Sequence, residues 1–297
     1  RWLAEHLARN GIAALIPDSI GQGERQPMGH TRVPGVFGSG LSLQGLIVME
    51  TMAWLRWIHA DPRFDPARIG MAGNSGGGTL TLFTSALCRE PLAAVACSGY
   101  PSTFEFVARK EKRLCHCNLL PGLVGELEMW QLLGCVAPRR LFLFQGREDH
   151  LFPLDLFWRT VARTANAYEE AGAADALQAE LFPGGHSWDL ERRTALCRFF
   201  CERFAVPFSA EAVLEPSPEP PPEPCISPWP STALTAEALA ARLTGTRSEA
   251  RTLPDLFPSS PAAAPGSGNR FLRGEIAEIA AQFALFLKKN RPETPFP

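Results

Sequence analysis

The stretch Ile69-Gly70-Met71-Ala72-Gly73-Asn74-Ser75-Gly76-Gly77-Gly78-Thr79, IGMAGNSGGGT, joins a short apolar run to an apolar helical pattern. Three chemistries use a glycine-rich turn of this kind. A Walker A loop needs G-x-x-x-x-G-K-[ST]; Gly73 and Gly78 fit, but Thr79 stands where the lysine belongs, so the phosphates lose their main charge partner. The dinucleotide pattern G-x-G-x-x-G fails because Met71 holds its first glycine position. G-x-S-x-G fits Gly73 to Gly77 with Ser75 at its centre, between a strand and a helix, the context that gives the motif meaning. The glycines let the chain turn sharply, and the following helix aims its N-terminus and the Gly76 N–H at a developing oxyanion. The pentapeptide alone is common by chance, and a structural serine in a tight turn is an open alternative at this point.

A serine nucleophile needs a base, and the base needs an orienting acid. On this kind of scaffold the chain order is Ser, acid, His. Asp149 follows an apolar run in GREDHLFP, and His186 follows a later one in FPGGHSW. Both stand in loops just beyond a strand's carboxyl end, where parallel sheets bind ligands. Glu148 and Asp155 compete for the acid role and His150 for the base role. Asp149 as a helix cap and His186 as a turn histidine are the structural alternatives. His6, His59 and His116 read as structural or exposed; His30 is the one that could line the site.

The rest of the chain organises around these pieces. Residues 3–10 read as a helix that stops at Asn10-Gly11. Residues 12–17 are a short apolar run, read as a buried strand. Residues 18–40 are rich in Gly and Pro and read as a loop. Residues 46–59 carry helical spacing and close at Asp61-Pro62. Strands are expected at 68–72, 92–97, 140–144 and 176–182, and helices at 79–88, 154–171 and 188–204, with 119–133 part loop, part helix. Strand and helix alternate with short connections, which builds a mostly parallel sheet with helices on both faces. After Pro207 the composition shifts. EPSPEPPPEP (residues 215–224) can form neither ladder nor helix and reads as extended linker. Short helices are expected at 236–243 and 275–289. The division is therefore 1–207 as an α/β domain and 208–297 as Pro-rich linker and helical tail.

Bulk properties narrow the class. The chain has 297 residues, 45% hydrophobic and 20% charged, with a net charge of −2. That balance gives no reason to expect a nucleic acid or an anionic membrane surface as partner. No apolar run approaches the ~20 residues of a membrane span. The first residue is arginine, not methionine, so the compartment, cytoplasmic or secreted, is open. Eight cysteines at irregular spacing do not read as a disulfide scaffold. Cys115-His116-Cys117 invites a zinc reading, but one short cluster without a second pair is weak, and buried thiols are the reading adopted.

The segments IPDSIGQGER (16–25), GNSGGG (73–78), CHCNLLPGL (115–123), APRRLFLFQGREDHLFP (137–153) and PGGHSW (183–188) resemble the α/β-hydrolase superfamily, and within it the acetyl xylan esterase-like and dienelactone hydrolase-like branch. The resemblance runs from about residue 1 to 205 and leaves the tail uncovered. It places the nucleophile on Ser75, the acid on Asp149 and the base on His186, with Gly76 in the oxyanion hole and Asn74, His30 and Gln22 as substrate-binding candidates. Dienelactone hydrolases use a cysteine nucleophile, so Ser75 points to the esterase side. The resemblance also implies about three strands ahead of the first helix, the last lying between the 12–17 run and the strand at 68–72, its loop supplying a second oxyanion donor. The chain therefore reads as N-terminally incomplete, with either a gap in the sheet or direct pairing of those two runs.

The activity so implied is Ser-His-Asp cleavage of a carboxylic ester, an acetylated sugar being the first substrate expected, with no metal or organic cofactor. Residues 18–40 and 115–128 are expected to shape the acyl and alcohol pockets. A serine peptidase of the same superfamily and a non-catalytic hydrolase-like binding module are the competing readings.

Overall fold

The computed structural model describes residues 2–109, 114–213 and 229–245. In chain order the helices are α1 (Trp2–Arg9), α2 (Pro34–Gly38), α3 (Leu43–Ala60), α4 (Gly76–Leu87), α5 (Phe104–Arg109), α6 (Met129–Gly134), α7 (Leu154–Glu170), α8 (Leu190–Phe204) and α9 (Ala236–Thr244). The strands are β1 (Gly70–Asn74), β2 (Ala94–Ser98), β3 (Arg140–Gly146) and β4 (Leu177–Phe182). They form one parallel sheet in the order β1-β2-β3-β4. The expected α/β architecture is present, and the four strands and the helices α4, α7 and α8 lie within a few residues of their expected places, while α5 was not expected. All four strands run the same way, so their carboxyl ends, Asn74, Ser98, Gly146 and Phe182, share one rim.

Alternation along the central strands divides the core into two faces. Val95, Cys97, Leu141 and Leu143 pack towards α3, α4, α6 and α7, where they meet Leu55, Leu82, Phe83, Leu132, Phe157 and Tyr168. Ala94, Ala96, Phe142 and Phe144 point the other way, onto α8 and Leu7 of α1. There Phe142 stacks on Phe144 at 4.6 Å and meets Phe199 at 5.4 Å. Strands buried on both faces read as continuous apolar runs, which is why β2 and β3 are plain in the sequence. Asp189 starts α8 by accepting the Arg192 N–H at 3.1 Å, and Ser42 starts α3 by accepting that of Gly45 at 3.0 Å.

Residues 12–17 correct the sequence reading. They form no strand, and Leu15 and Ile16 are 46% and 60% exposed. A strand exists only if its backbone has a partner, and among the described residues β1 pairs with β2 alone. Between β1 and residues 12–17 lies an apolar groove of about 1030 Å³, floored by Leu55, Phe200 and Phe204 and flanked by Trp54 and Trp188. Of the two expected outcomes, gap or direct pairing, the structure shows the gap.

The loop at 18–40 is built, not slack. The Asp18 carboxylate accepts the Glu24 N–H at 2.8 Å, and Arg25 reaches both the Asp18 carbonyl, at 2.9 Å, and Glu50 of α3, at 2.6 Å. The loop contains α2, which the sequence reading did not separate. Within 208–297 the described residues are 208–213 and 229–245. Here α9 spans the expected helix and sits on α2, with Ala236 and Ala240 buried and Glu237 accepting the Gly35 N–H at 2.7 Å. The Pro-rich stretch at 215–224 and the helix expected at 275–289 lie outside the described residues. Among the described helices none is long and apolar enough to cross a membrane.

Candidate active site

Ser75 sits between β1 and α4 at φ 55, ψ −118, a region that disfavours side chains. Its N–H donates to the Ser98 carbonyl at 3.0 Å, and its carbonyl accepts the Thr79 N–H at 2.9 Å, so both ends of the turn are fixed. Gly73 is required there, because a Cβ would come within 1.9 Å of the Gly77 carbonyl oxygen. Gly78 lets α4 close on β2, since a Cβ there would meet the Ser98 carbonyl at 2.7 Å. Gly76 and Gly77 face open space. Gly76 is the first residue of α4, and its N–H belongs to the turn that lacks intrahelical acceptors.

Asp149 stands in the turn beyond β3. Its Oδ1 accepts the N–H groups of Leu151, at 2.8 Å, and Phe152, at 3.1 Å, and its Oδ2 lies 2.7 Å from His186 Nδ1. Burial works to raise its pKa, but the His186 hydrogen bond and the two amides outweigh it and hold the carboxyl below its ordinary value. The rivals Glu148, His150 and Asp155 are all exposed. His186 stands in the loop beyond β4, its ring 5.8 Å from that of Phe152. Since Nδ1–H is committed to the carboxylate, Nε2 is the basic nitrogen; it is buried and has no hydrogen-bond partner among the described residues.

Gly99 brings His186 to the Ser75 turn. It lies just past β2 at φ +56, and a Cβ on it would fall 2.6 Å from Asn74 Oδ1 and 2.9 Å from His186 Cε1. The imidazole therefore lies over the rim beside Asn74, the residue preceding Ser75. The Asp149 and His186 loops are laced together, Arg147 donating its N–H to the Phe182 carbonyl at 2.8 Å and Glu148 to that of Gly184 at 3.1 Å. Beneath them Arg192 of α8 is fully buried. Its Nη1 donates to the Ser187 carbonyl at 2.6 Å and Oγ at 2.9 Å, and its Nη2 to the Pro183 carbonyl at 2.7 Å. Sequence reasoning found neither Gly99 nor Arg192, which have no motif; Gly99 acts on a loop distant in the chain, and Arg192 on the loop just before its own helix.

The other candidates are placed as follows. Asn74 is half-buried beside His186. Gln22 is exposed at the start of the 3-10 turn Gly23–Met28. His30 Nδ1 is bonded to the Ile20 carbonyl at 2.8 Å, and its ring faces Cys115. His116 is structural: its Nδ1 accepts the Val33 N–H at 2.9 Å, and its ring packs on Phe37 at 5.1 Å.

No family model matches the chain. It is 23% identical over 203 residues to a curated protein of Bacillus subtilis (strain 168) named "Putative hydrolase YtaP", covering 68% of this chain and 66% of that one. Among solved structures, Methylesterase BT1017 superposes with a TM-score of 0.57 at 20% identity, over 73% of this chain and 49% of that one. A carbohydrate esterase family 15 glucuronoyl esterase from Caldicellulosiruptor kristjansonii matches at TM-score 0.46 and 17% identity, over 56% of this chain and 51% of that one. The chain thus spans about two thirds of its curated relative and about half of the methylesterase. The fold shared with the methylesterase is that of the α/β-hydrolases.

Proposed function

We propose that this chain, an α/β-hydrolase by fold, carries a serine esterase site formed by Ser75, His186 and Asp149. The observation that carries the reading is the 2.7 Å His186 Nδ1–Asp149 Oδ2 pair, with Nε2 buried and unpartnered beside the Asn74–Ser75 turn. His186 takes the Ser75 proton as Oγ attacks the ester carbonyl, and Asp149 holds the tautomer and stabilises the imidazolium. The Gly76 N–H receives the oxyanion, a donor whose loss typically costs about 3 kcal/mol. His186 then protonates the leaving alcohol, and water activated by the same nitrogen releases the acid. Nothing in this sequence of steps calls on a metal or organic cofactor.

The substrate proposed is a small or carbohydrate ester, an acetylated sugar first, by resemblance to the acetyl xylan esterase-like branch. Asn74 and Gln22 are the residues proposed to meet it. The edge of β1, unpaired among the described residues, favours one other reading, a hydrolase-like module that binds without turnover. Fluorophosphonate labelling with peptide mapping, beside hydrolysis of p-nitrophenyl acetate, separates the two. Labelling at Ser75 and turnover that both vanish in Ser75→Ala support the esterase. A folded chain that neither labels nor turns over supports the binding module.

A further inference from the structure

A second cluster of reactive side chains shares no residue with the triad. The loop at 18–40 and the turn at 115–118 bring His30, Cys115 and Cys117 together, their ligating atoms all within 4.8 Å of one another. His116, the histidine between the two cysteines, is not part of it. We propose that His30 Nε2, Cys115 Sγ and Cys117 Sγ form a zinc site, with water as the fourth ligand.

The donor set is right for that ion. Two thiolates and an imidazole select zinc over the hard cations. A tetrahedral zinc with Zn–S near 2.3 Å and Zn–N near 2.1 Å separates its ligands by about 3.5 Å, so the three atoms need to close by no more than roughly 1 Å. Cys115 and His30 are half-buried and Cys117 is buried, which leaves one side open to water.

The surroundings are arranged as they are around ligands. A metal-bound histidine characteristically gives its other N–H to a backbone carbonyl, which fixes its tautomer and ring. His30 Nδ1 does this with the Ile20 carbonyl at 2.8 Å, leaving Nε2 as the ligating nitrogen. The Asn118 amide nitrogen lies 3.5 Å from Cys115 Sγ and 3.4 Å from Cys117 Sγ, donating towards the sulfurs that would carry the negative charge. Asn118 is oriented from its other end, where Oδ1 accepts the Thr79 hydroxyl at 3.1 Å. Thr79 lies in the first turn of α4, and its backbone N–H donates to the Ser75 carbonyl. The ion would thus pin the loop at 18–40 to the helix that begins at the nucleophile's turn.

The test needs no knowledge of the substrate and reads metal directly. The full chain, produced with zinc and kept reduced, is assayed for bound metal by elemental analysis, and the apoprotein is titrated with cobalt(II). The expected result is one zinc per chain and a sulfur-to-cobalt charge-transfer band with the intense visible bands of a tetrahedral site. Cys115→Ser with Cys117→Ser should abolish both, His30→Ala should weaken them, and Cys88→Ser should leave them intact. Because the cobalt spectrum is taken on the unsubstituted chain, the proposal does not depend on the variants folding. A folded chain that holds no zinc and gives no charge-transfer band overturns it. So does a Cys115–Cys117 disulfide in the reduced preparation, or metal that survives the double substitution. Each outcome is independent of whether Ser75 is catalytic.

Discussion

His186 Nδ1 lies 2.7 Å from Asp149 Oδ2, while the other carboxylate oxygen is held by the Leu151 and Phe152 amides. The Asp149 carboxylate is thus gripped on one side by its own turn and on the other by His186. With both oxygens engaged and the Asp149 side chain 1% exposed, the imidazole has one tautomer and a narrow range of orientations.

Asp149→Asn should therefore test orientation and charge without emptying the site. An amide presents a donor or a neutral acceptor to His186 and disturbs the tautomer, so turnover of p-nitrophenyl acetate should fall by about 10⁴-fold, the scale found for such a change in a serine triad. Circular dichroism should be unchanged. A variant within tenfold of the parent rate would remove Asp149 from the role.

The same carboxylate sets a pH dependence of stability. Its folded pKa lies below the ordinary 3.8, so the unfolded chain binds the proton more readily. The stabilisation is complete above that ordinary value and is lost as pH falls through the folded one. Urea midpoints measured from about pH 5 to about pH 3 should drop less for Asp149→Asn than for the parent. Parallel curves would show that the group contributes nothing.

Strain at Ser75 predicts an opposition between activity and stability. At φ 55 a side chain costs about 1–3 kcal/mol, and glycine escapes that cost at the expense of some unfolded-state entropy. Ser75→Gly should be inactive yet about 1 kcal/mol more stable than Ser75→Ala in urea. If the alanine variant proves the more stable of the two, the turn is not strained.

Gly99→Ala places a methyl 2.9 Å from His186 Cε1, at a left-handed residue. Moving the imidazole by about 1 Å costs roughly 10²-fold in rate, whereas the backbone cost is only about 1–2 kcal/mol. kcat should fall far more than Tm. Unchanged kcat would mean that the ring yields without loss.

Arg192 is a positioning residue. Arg192→Met leaves the Pro183 and Ser187 carbonyls without their buried donor, at a cost of about 1–3 kcal/mol each. The His186 loop should loosen, lowering kcat with little change in KM. Arg192→Lys should recover only part, since an ammonium cannot match the guanidinium fork. A variant whose rate per folded molecule equals the parent's would make Arg192 purely structural.

How much of this was legible depended on range. The nucleophile's turn could be read because its glycines answer to local sterics: Gly73 is needed by Gly77, four residues on. Asp149 and His186 could be picked out because each follows a strand, and in a parallel sheet every strand ends on the same rim. Cys115-His116-Cys117 sets a histidine between two thiols in the sequence, but the structure turns that histidine to Val33 and Phe37. The side chain that joins the sulfurs comes from residue 30, and no spacing rule spans that separation.

Residues 12–17 mark the boundary most sharply. Their apolar run was compatible with a strand, but strand formation is a property of a pair, and β1 keeps that edge open across a groove of about 1030 Å³. The sequence by itself determined the order of strands and helices, the Ser75 turn and the residues able to act as acid and base, because these follow from short-range periodicity and backbone sterics. Only the tertiary structure decided that Gly99 seats His186 and that His30 meets the two cysteines. Those are contacts between distant segments, settled by packing rather than by any local preference.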